Sequence, residues 1–500
     1  MSRILKDYGL PVLASLLVSI SRIPLYLGFL VFLGFIPLLM YFAQEERSFR
    51  KLFGAALLYA LVQIAIVFYW IGSVTLPGLM GIWLIYAVYY AVSFYIVQRV
   101  WYRLPAWRYV AFACVYVSFE YLQNFTEMRF PWFNIGYSLA DYLPLIQVAD
   151  LGGMALLALL ILSINILIYH AFKTRKRYLL HAAILLVVWL GYGFYALKTI
   201  KLEEHDARIA VMQPSIPQVD KWEAEHYEYI ISRYDSLCAE AMHQGTKMLI
   251  FPEAAMPVYL MLEPAPMADL RTLLSKYGVN IFTGFPHSTI APSGHSQQYL
   301  YYNAATLFNP DQGFGELYYK NILVPIGERM LWLDQFPFLW SLQFGQANWE
   351  FGSKIPVYEC DGYKFSPSIC YELAFPHFMQ KANFHQETTP KVDYHVNITN
   401  DAWFGTSYGP WLHGMMTRFR AVESRIQVYR SANTGISMIV DPLGRILARA
   451  ELFEIKNIST PLYTTNKIPL YSRITYYPWL FVLATAILLI VALLRGRRRL

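Results

Sequence analysis

The chain has 500 residues, 56% of them hydrophobic and only 15% charged, with a net charge of +7. Typical soluble domains carry roughly 25% charged residues, which excludes a single soluble globule, and the length requires at least two units. The basic residues cluster at the ends of apolar runs, a placement that fits a membrane rather than a nucleic acid.

A membrane span needs ~20 mostly apolar residues. Runs at about 9–21, 24–43, 52–73, 77–98, 107–125, 151–172, 179–197 and 474–494 give eight candidates. Arg3 and Lys6 ahead of the first run imitate a signal peptide, but seven further apolar runs favour a retained helix. With the N-terminus inside, the cytoplasmic segments hold sixteen basic residues and the short outer loops two, Arg22 and Arg129. The positive-inside rule then puts both chain ends in the cytoplasm and residues 198–473 outside it. The expected organisation is a seven-span bundle over 1–200, an extracytoplasmic domain over 201–470, and a last span with a basic tail over 471–500. Residues 126–150 form an aromatic-rich outer loop that includes Phe130, Trp132 and Phe133. They are expected either as an interfacial aromatic belt or as a surface framing a lipid-accessible entrance.

From residue 207 short β-rich runs alternate with longer amphipathic segments. Strands are expected at 208–213, 247–251, 279–284, 302–308, 314–320, 355–369 and 392–399, and helices at 223–244, 266–277 and 411–427. A hairpin through 428–449 turns at Asp441-Pro442-Leu443-Gly444. This order predicts an α/β sandwich with mixed sheets.

Three chemically active side chains fall where strands should end. Glu253 follows Leu249-Ile250-Phe251-Pro252, Lys320 follows Tyr318-Tyr319, and Cys370 follows Phe365-Ser366-Pro367-Ser368-Ile369. Strand-end loops are where α/β folds assemble sites. A carboxylate takes a thiol proton, an ammonium stabilises thiolate and oxyanion, and a thiolate attacks a carbonyl carbon. Cys114 and Cys238 read as core residues, and a Cys238–Cys360 disulfide stays open if the domain lies in an oxidising compartment. The four cysteines form neither a C-x-x-C pair nor a zinc spacing, and no nucleotide or dinucleotide fingerprint occurs, so neither metal nor cofactor is expected.

A series of separated motifs resembles the apolipoprotein N-acyltransferase family, whose outer domain belongs to the nitrilase (carbon–nitrogen hydrolase) superfamily. They are Lys221-Trp222, Phe251-Pro252-Glu253-Ala254-Ala255-Met256-Pro257, Tyr319-Lys320-Asn321 and Leu323-Val324-Pro325-Ile326-Gly327-Glu328, followed by Ile369-Cys370-Tyr371-Glu372. Asn400-Asp401-Ala402-Trp403-Phe404-Gly405, Arg420-Ala421-Val422-Glu423 and Arg430-Ser431-Ala432-Asn433 complete the order. The resemblance implies an αββα domain on a polytopic helical bundle, with Glu253 as base, Lys320 as oxyanion stabiliser and Cys370 as nucleophile. It implies that Glu328, Tyr371 and Glu372 shape the site and that Trp222 and Trp132 contact substrate near its entrance. Phe251 stands where the family usually has Trp, Ser215 where it often has Asn, and Ile326 where it commonly has Phe. None of these removes a reacting group.

The implied reaction moves an acyl chain from a membrane phospholipid, through a Cys370 thioester, to the N-terminal amine of a diacylglyceryl-lipoprotein. The implied location is the bacterial inner membrane with the catalytic domain in the periplasm. The aromatic stretch 330–340 is expected as a membrane-dipping lid bearing Trp332, Phe336 and Trp340. Three rivals remain. A tethered amidase or nitrilase would use the same residues with water as acceptor. A serine hydrolase is suggested by Gly405-Thr406-Ser407-Tyr408-Gly409, although Pro410 follows closely. A transporter or receptor would need more intramembrane charge than Glu120.

Overall fold

The computed structural model describes residues 2–243, 245–293, 297–336, 338–339, 347–385 and 389–495. The chain divides into a helical unit, Met1–Thr199 with Ile474–Leu500, and an α/β unit, Ile200–Arg473.

Among the described residues of the helical unit, four helices are long and apolar enough to cross a membrane: Phe49–Phe68, Leu76–Arg103, Ala149–Lys173 and Arg177–Thr199. Gly28–Gln44 and Trp479–Leu494 are shorter apolar helices, and Ser2–Ile20 and Arg108–Leu122 are two further helical runs. The second run starts only at Gly28 because Pro24 and the left-handed Tyr26 (φ 58°) interrupt the chain before it.

The 126–150 loop departs from the interfacial-belt expectation. Phe130–Leu139 is buried in two short 3₁₀ turns, and Trp132, 2% exposed, packs on Trp70 at 5.2 Å and stacks on Phe130 at 5.6 Å. Non-helical backbone in apolar surroundings needs partners from within, because each unmet amide costs several kcal/mol. Here Arg22 donates to the Trp132 carbonyl, the Ile135 N–H donates to Glu120 Oε1 at 2.7 Å, and the Tyr86 hydroxyl donates to the Phe130 carbonyl at 2.6 Å. These aromatics are core residues of the helical unit.

Among the described residues the α/β unit holds a seven-stranded and a six-stranded sheet. Strands β1 (Glu203–Gln213), β2 (Met248–Ile250), β3 (Asn280–Ile290), β4 (Tyr299–Asn309), β5 (Gly313–Phe314) and β6 (Tyr318–Tyr319) lie in the first. The second contains β7 (Tyr358–Cys360) and β8 (Tyr363–Ile369). After a small ribbon, β9 (Phe384–His385) with β10 (Thr389–Pro390), it continues with β11 (Tyr394–Thr399), β12 (Gln427–Ala432), β13 (Met438–Val440) and β14 (Ile446–Arg449). The last strand, β15 (Lys456–Thr464), returns to the first sheet beside β1. The centres are parallel, β1-β2-β3 in one sheet and β8-β11-β12 in the other, with antiparallel strands outside them.

Strand alternation explains the layering, since successive side chains point to opposite faces. Ala210, Met212, Leu249 and Ile281 join Ile230, Tyr234, Leu237, Leu270 and Leu274 in a core between the first sheet and the helices Tyr227–Met242 and Pro264–Tyr277. Val428, Met438 and Val440 pack on Ala421 of the helix Gly409–Ser424 on the outer side of the second sheet. The inner faces meet directly, with Phe282 edge-on to Phe365 at 5.3 Å and the Ser431 hydroxyl donating to the Met212 carbonyl. The order is helix, sheet, sheet, helix, the layered α/β sandwich expected from the alternating pattern.

Two strand expectations change. The run at 355–369 is a hairpin whose turn is Asp361 and Gly362, both left-handed (φ 54° and 82°), the geometry that suits the right-handed twist of paired strands. The run at 314–320 is split into β5 and β6. Cys238 and Cys360 are both free thiols, Cys238 inside the helix-side core and Cys360 accepting from the Asn280 amide at 3.2 Å.

Candidate active site

The three strand-end residues converge within the α/β unit. Lys320 follows β6, is fully buried, and donates to Glu328 Oε1 at 2.8 Å, with Glu253 Oε1 at 3.7 Å. Glu253 Oε1 also accepts from the Asn303 amide at 2.6 Å, and its Oε2 accepts from the Asn400 backbone N–H at 2.8 Å. Both oxygens are therefore aimed. Gly284 makes room for this: a Cβ there would lie 2.9 Å from Ala254 N and Ile398 Cδ1 and 3.2 Å from Glu253 Cα. Burial alone would lower the Lys320 ammonium, but Glu328 and then Glu253 hold it above the ordinary range, so it stays a cation.

Cys370 follows β8 at a sharp bend, with φ at 52°. A non-glycine residue there costs roughly 1–3 kcal/mol and persists only where its surroundings impose it. They do: the Cys370 carbonyl accepts from His413 Nε2 at 3.2 Å and from the Asn397 amide at 3.5 Å. Burial pushes the thiol well up, the Glu253 charge adds to this, and Lys320 opposes it. The resting group is a neutral thiol beside a carboxylate and an ammonium, an arrangement that delivers its proton to a base as it attacks.

Glu372 ties two of the strand ends together. Its Oε1 accepts from the backbone N–H groups of Asn321 at 2.6 Å and Ile322 at 3.0 Å, and its Oε2 from Ile369 N–H at 2.7 Å and from the Tyr318 hydroxyl. Asn321 adjoins Lys320 and Ile369 adjoins Cys370, so one buried carboxylate holds the backbone next to both. Glu328 Oε2 likewise accepts from Val324 N–H at 2.8 Å. Tyr371 is buried and packs edge-on to Phe375 at 5.1 Å.

Trp222 is 48% exposed, next to a buried Lys221 that donates to the Glu253 carbonyl at 2.9 Å. Trp132 belongs to the helical unit. Trp332 and Phe336 are 41% and 50% exposed while Leu333 between them is buried; Trp340 lies outside the described residues. Lys221, Asn303, Asn400 and His413 were not singled out from sequence. Their signal was faint, since Lys221 and Asn400 appear only as motif neighbours and the contacts of Asn303 and His413 span distant strands.

Among the described residues, Cys370, Asp401 and His413 form a group with metal-ligand atoms within 4.8 Å of one another. Its donors are committed, however: His413 Nδ1 lies 3.0 Å from Asp401 Oδ1 and 3.1 Å from the Arg430 guanidinium, and its Nε2 faces a carbonyl. Ser407, the centre of the serine-hydrolase motif, lies in a turn after the 3₁₀ segment Asp401–Phe404. Its hydroxyl donates to the Phe404 carbonyl at 2.7 Å and accepts from Gly409 N–H. A nucleophile elbow needs a strand directly before the serine, so this rival fails.

The carbon-nitrogen hydrolase family model matches residues 208–462, and the apolipoprotein N-acyltransferase N-terminal domain model matches 14–167. Apolipoprotein N-acyltransferases from Chlorobaculum tepidum and Geobacter metallireducens are each 29% identical, covering 95% and 99% of this chain and 93% and 96% of their own. The Rickettsia prowazekii enzyme is 31% identical over 73% of this chain and 71% of its own. Among solved structures, an amidase from Nesterenkonia sp. aligns over 56% of this chain and 97% of its own, with 18% identity and TM-score 0.39. With both family models matched in order and relatives aligned over nearly the whole length, the chain belongs to the apolipoprotein N-acyltransferase family within the carbon-nitrogen hydrolases.

Proposed function

We propose that this chain transfers a fatty acyl group from a membrane phospholipid to the N-terminal amine of a diacylglyceryl-lipoprotein, with Cys370 as nucleophile, Glu253 as base and Lys320 as oxyanion stabiliser. The observation that carries it is the meeting of the Glu253, Lys320 and Cys370 side chains at three strand ends in a chain that also carries an apolar helical unit. Glu253 takes the thiol proton as sulfur attacks the ester carbonyl carbon. The oxyanion is held by Lys320 Nζ and the Tyr371 backbone N–H. Collapse breaks the ester C–O bond, the proton returns to the departing lysophospholipid oxygen, and a thioester remains on Cys370. The lipoprotein amine then attacks the thioester carbon, Glu253 accepts the amine proton, and the C–S bond breaks to release an amide and restore the thiol.

In this reading all eight apolar helical runs cross the membrane, the basic loops face the cytoplasm, and residues 200–473 face the periplasm. Both substrates stay anchored by acyl chains, where each buried methylene contributes about 0.8 kcal/mol, so a membrane-tethered enzyme reaches them without extraction. The exposed Trp332 and Phe336 serve as a lid that dips into lipid, and the exposed Trp222 contacts substrate near the entrance of the site.

Intact-protein mass spectrometry tests the proposal. An acyl thioester on Cys370 that disappears when a diacylated lipopeptide is added, with appearance of triacylated product, is the expected result. Acylation persisting in Cys370→Ala would overturn the nucleophile, and release of free fatty acid without acylated peptide would favour a hydrolase.

A further inference from the structure

Behind Cys370 runs a buried polar relay that the proposed reaction does not use. His413, in the helix Gly409–Ser424, lies between Asp401 and the Cys370 carbonyl. Arg430 on β12 donates to Asp401 Oδ2, approaches His413 Nδ1 at 3.1 Å, and donates through Nη1 to Asn397 Oδ1 at 2.6 Å. Thr399 donates to Asp401 Oδ1 at 2.8 Å. Asn397 in turn donates to Ser368 Oγ at 2.9 Å and reaches the Cys370 carbonyl at 3.5 Å. All of these side chains but Cys370 are buried.

The grouping of a thiol, an imidazole and a carboxylate invites comparison with a Cys-His-Asp nucleophilic triad, but the hydrogen bonding excludes it. A carbonyl oxygen only accepts, so Nε2 of His413 carries a proton directed at the Cys370 carbonyl. That nitrogen cannot also take the thiol proton, and Nδ1 is turned to Asp401 and Arg430. The contact is with the peptide, not the sulfur.

That peptide matters because of planarity. In a trans peptide the C=O and the next N–H point in opposite directions across a rigid plane. Holding the Cys370 carbonyl from one side therefore fixes the direction of the Tyr371 N–H on the other. We propose that His413, braced by Asp401 and Arg430, is a positioning residue that locks the Cys370–Tyr371 peptide so that the Tyr371 N–H meets the oxyanion formed at the Cys370 thioester carbon. It also holds the left-handed Cys370 backbone in place. This rests on the acyl-transfer reading above and adds a residue to it that touches neither substrate nor sulfur.

The test separates oxyanion chemistry from thiol reactivity in the full-length protein in lipid nanodiscs. Alkylation of Cys370 by iodoacetamide displaces iodide at a saturated carbon and forms no oxyanion, whereas acylation by phospholipid forms one. Loss of a single oxyanion donor costs about 10²–10³ in rate, and a misdirected donor is expected to cost about 10–100-fold. His413→Ala should slow acyl-thioester formation by that factor while changing the alkylation rate less than about threefold. His413→Gln, whose amide N–H can donate to the same carbonyl, should recover much of the loss. Acylation at the unsubstituted rate in His413→Ala would overturn the inference alone. So would a parallel fall in alkylation and acylation, or no recovery with Gln. If the unsubstituted protein alkylates at Cys370 but never acylates, the acyl-transfer reading fails and this inference with it.

Discussion

Glu372→Gln is the substitution whose effect follows most directly from geometry, because it replaces a single oxygen by NH₂ at a point where four donors converge. The carboxylate accepts from Asn321, Ile322 and Ile369 N–H groups and from the Tyr318 hydroxyl, and it is fully buried. A glutamine does best with its carbonyl toward Asn321 and Ile322 and its NH₂ toward Ile369 and Tyr318. The tyrosine hydroxyl can rotate and accept, but the Ile369 N–H is left facing another donor, at a cost of about 1–3 kcal/mol. The other bonds lose charge assistance, about 2 kcal/mol together. Relief from burying a charge, the same burial that pushes this carboxyl up to about 7, offsets part of the loss. A net destabilisation of about 2 kcal/mol remains, or about 4–8 °C in Tm for a unit of this size. Because Ile369 and Asn321 adjoin Cys370 and Lys320, acyl-thioester formation should also fall by about 10²-fold through misplacement. Thermal unfolding in detergent and single-turnover acylation at pH 8, where the carboxyl is ionised, measure both. A variant that unfolds within a degree of the unsubstituted protein and acylates at its rate would refute the tie between the strand ends.

Burial lowers Lys221 to about 8 from 10.5, with Glu253 partly opposing. Between these values the unfolded chain holds more protons than the folded one, so stability rises with pH across that window. Lys221→Met lacks this rise, and the stability difference between the two should move by about 3 kcal/mol in favour of the unsubstituted protein from pH 8 to 10.5; parallel pH curves would refute it. Replacing Trp332 and Phe336 together with Ser should lower turnover on vesicle-embedded lipid about tenfold, through ~1.5 kcal/mol of lost apolar contact, and leave turnover of a short-chain soluble ester unchanged. Equal turnover on vesicles would remove the lid.

The sequence made some of this legible for physical reasons. Glu253, Lys320 and Cys370 stand out because a polar side chain just after an apolar β run marks the end of a strand, and in this fold those ends converge. The second tier was hidden because its partners are distant in sequence: Asn400 N–H meets Glu253, and His413 meets the Cys370 carbonyl. Local composition misled at Phe130–Leu139, where aromatic richness suggests an interface although Arg22, Glu120 and Tyr86 supply the polar partners that let the segment be buried. The Asp361-Gly362 turn was present as a hairpin signal but lay inside a longer stretch that reads as one strand.

The pairing of β1 with β15 has a consequence for how the chain is assembled. Glu203 is the partner of Thr464, so the first and last strands of the α/β unit begin and end side by side. Once that unit is folded, the long stretch between the helices Arg177–Thr199 and Trp479–Leu494 acts as a short connector, and the entropy of closing so large a loop has already been met. The final helix, which packs on Arg108–Leu122 through Tyr121 against Trp479 at 5.5 Å and Ser118 against Thr485 at 3.1 Å, then docks almost as a neighbour in sequence. The same adjacency means that a segment cut at 203 and 464 would have its two ends already in register, available to be joined by a short linker.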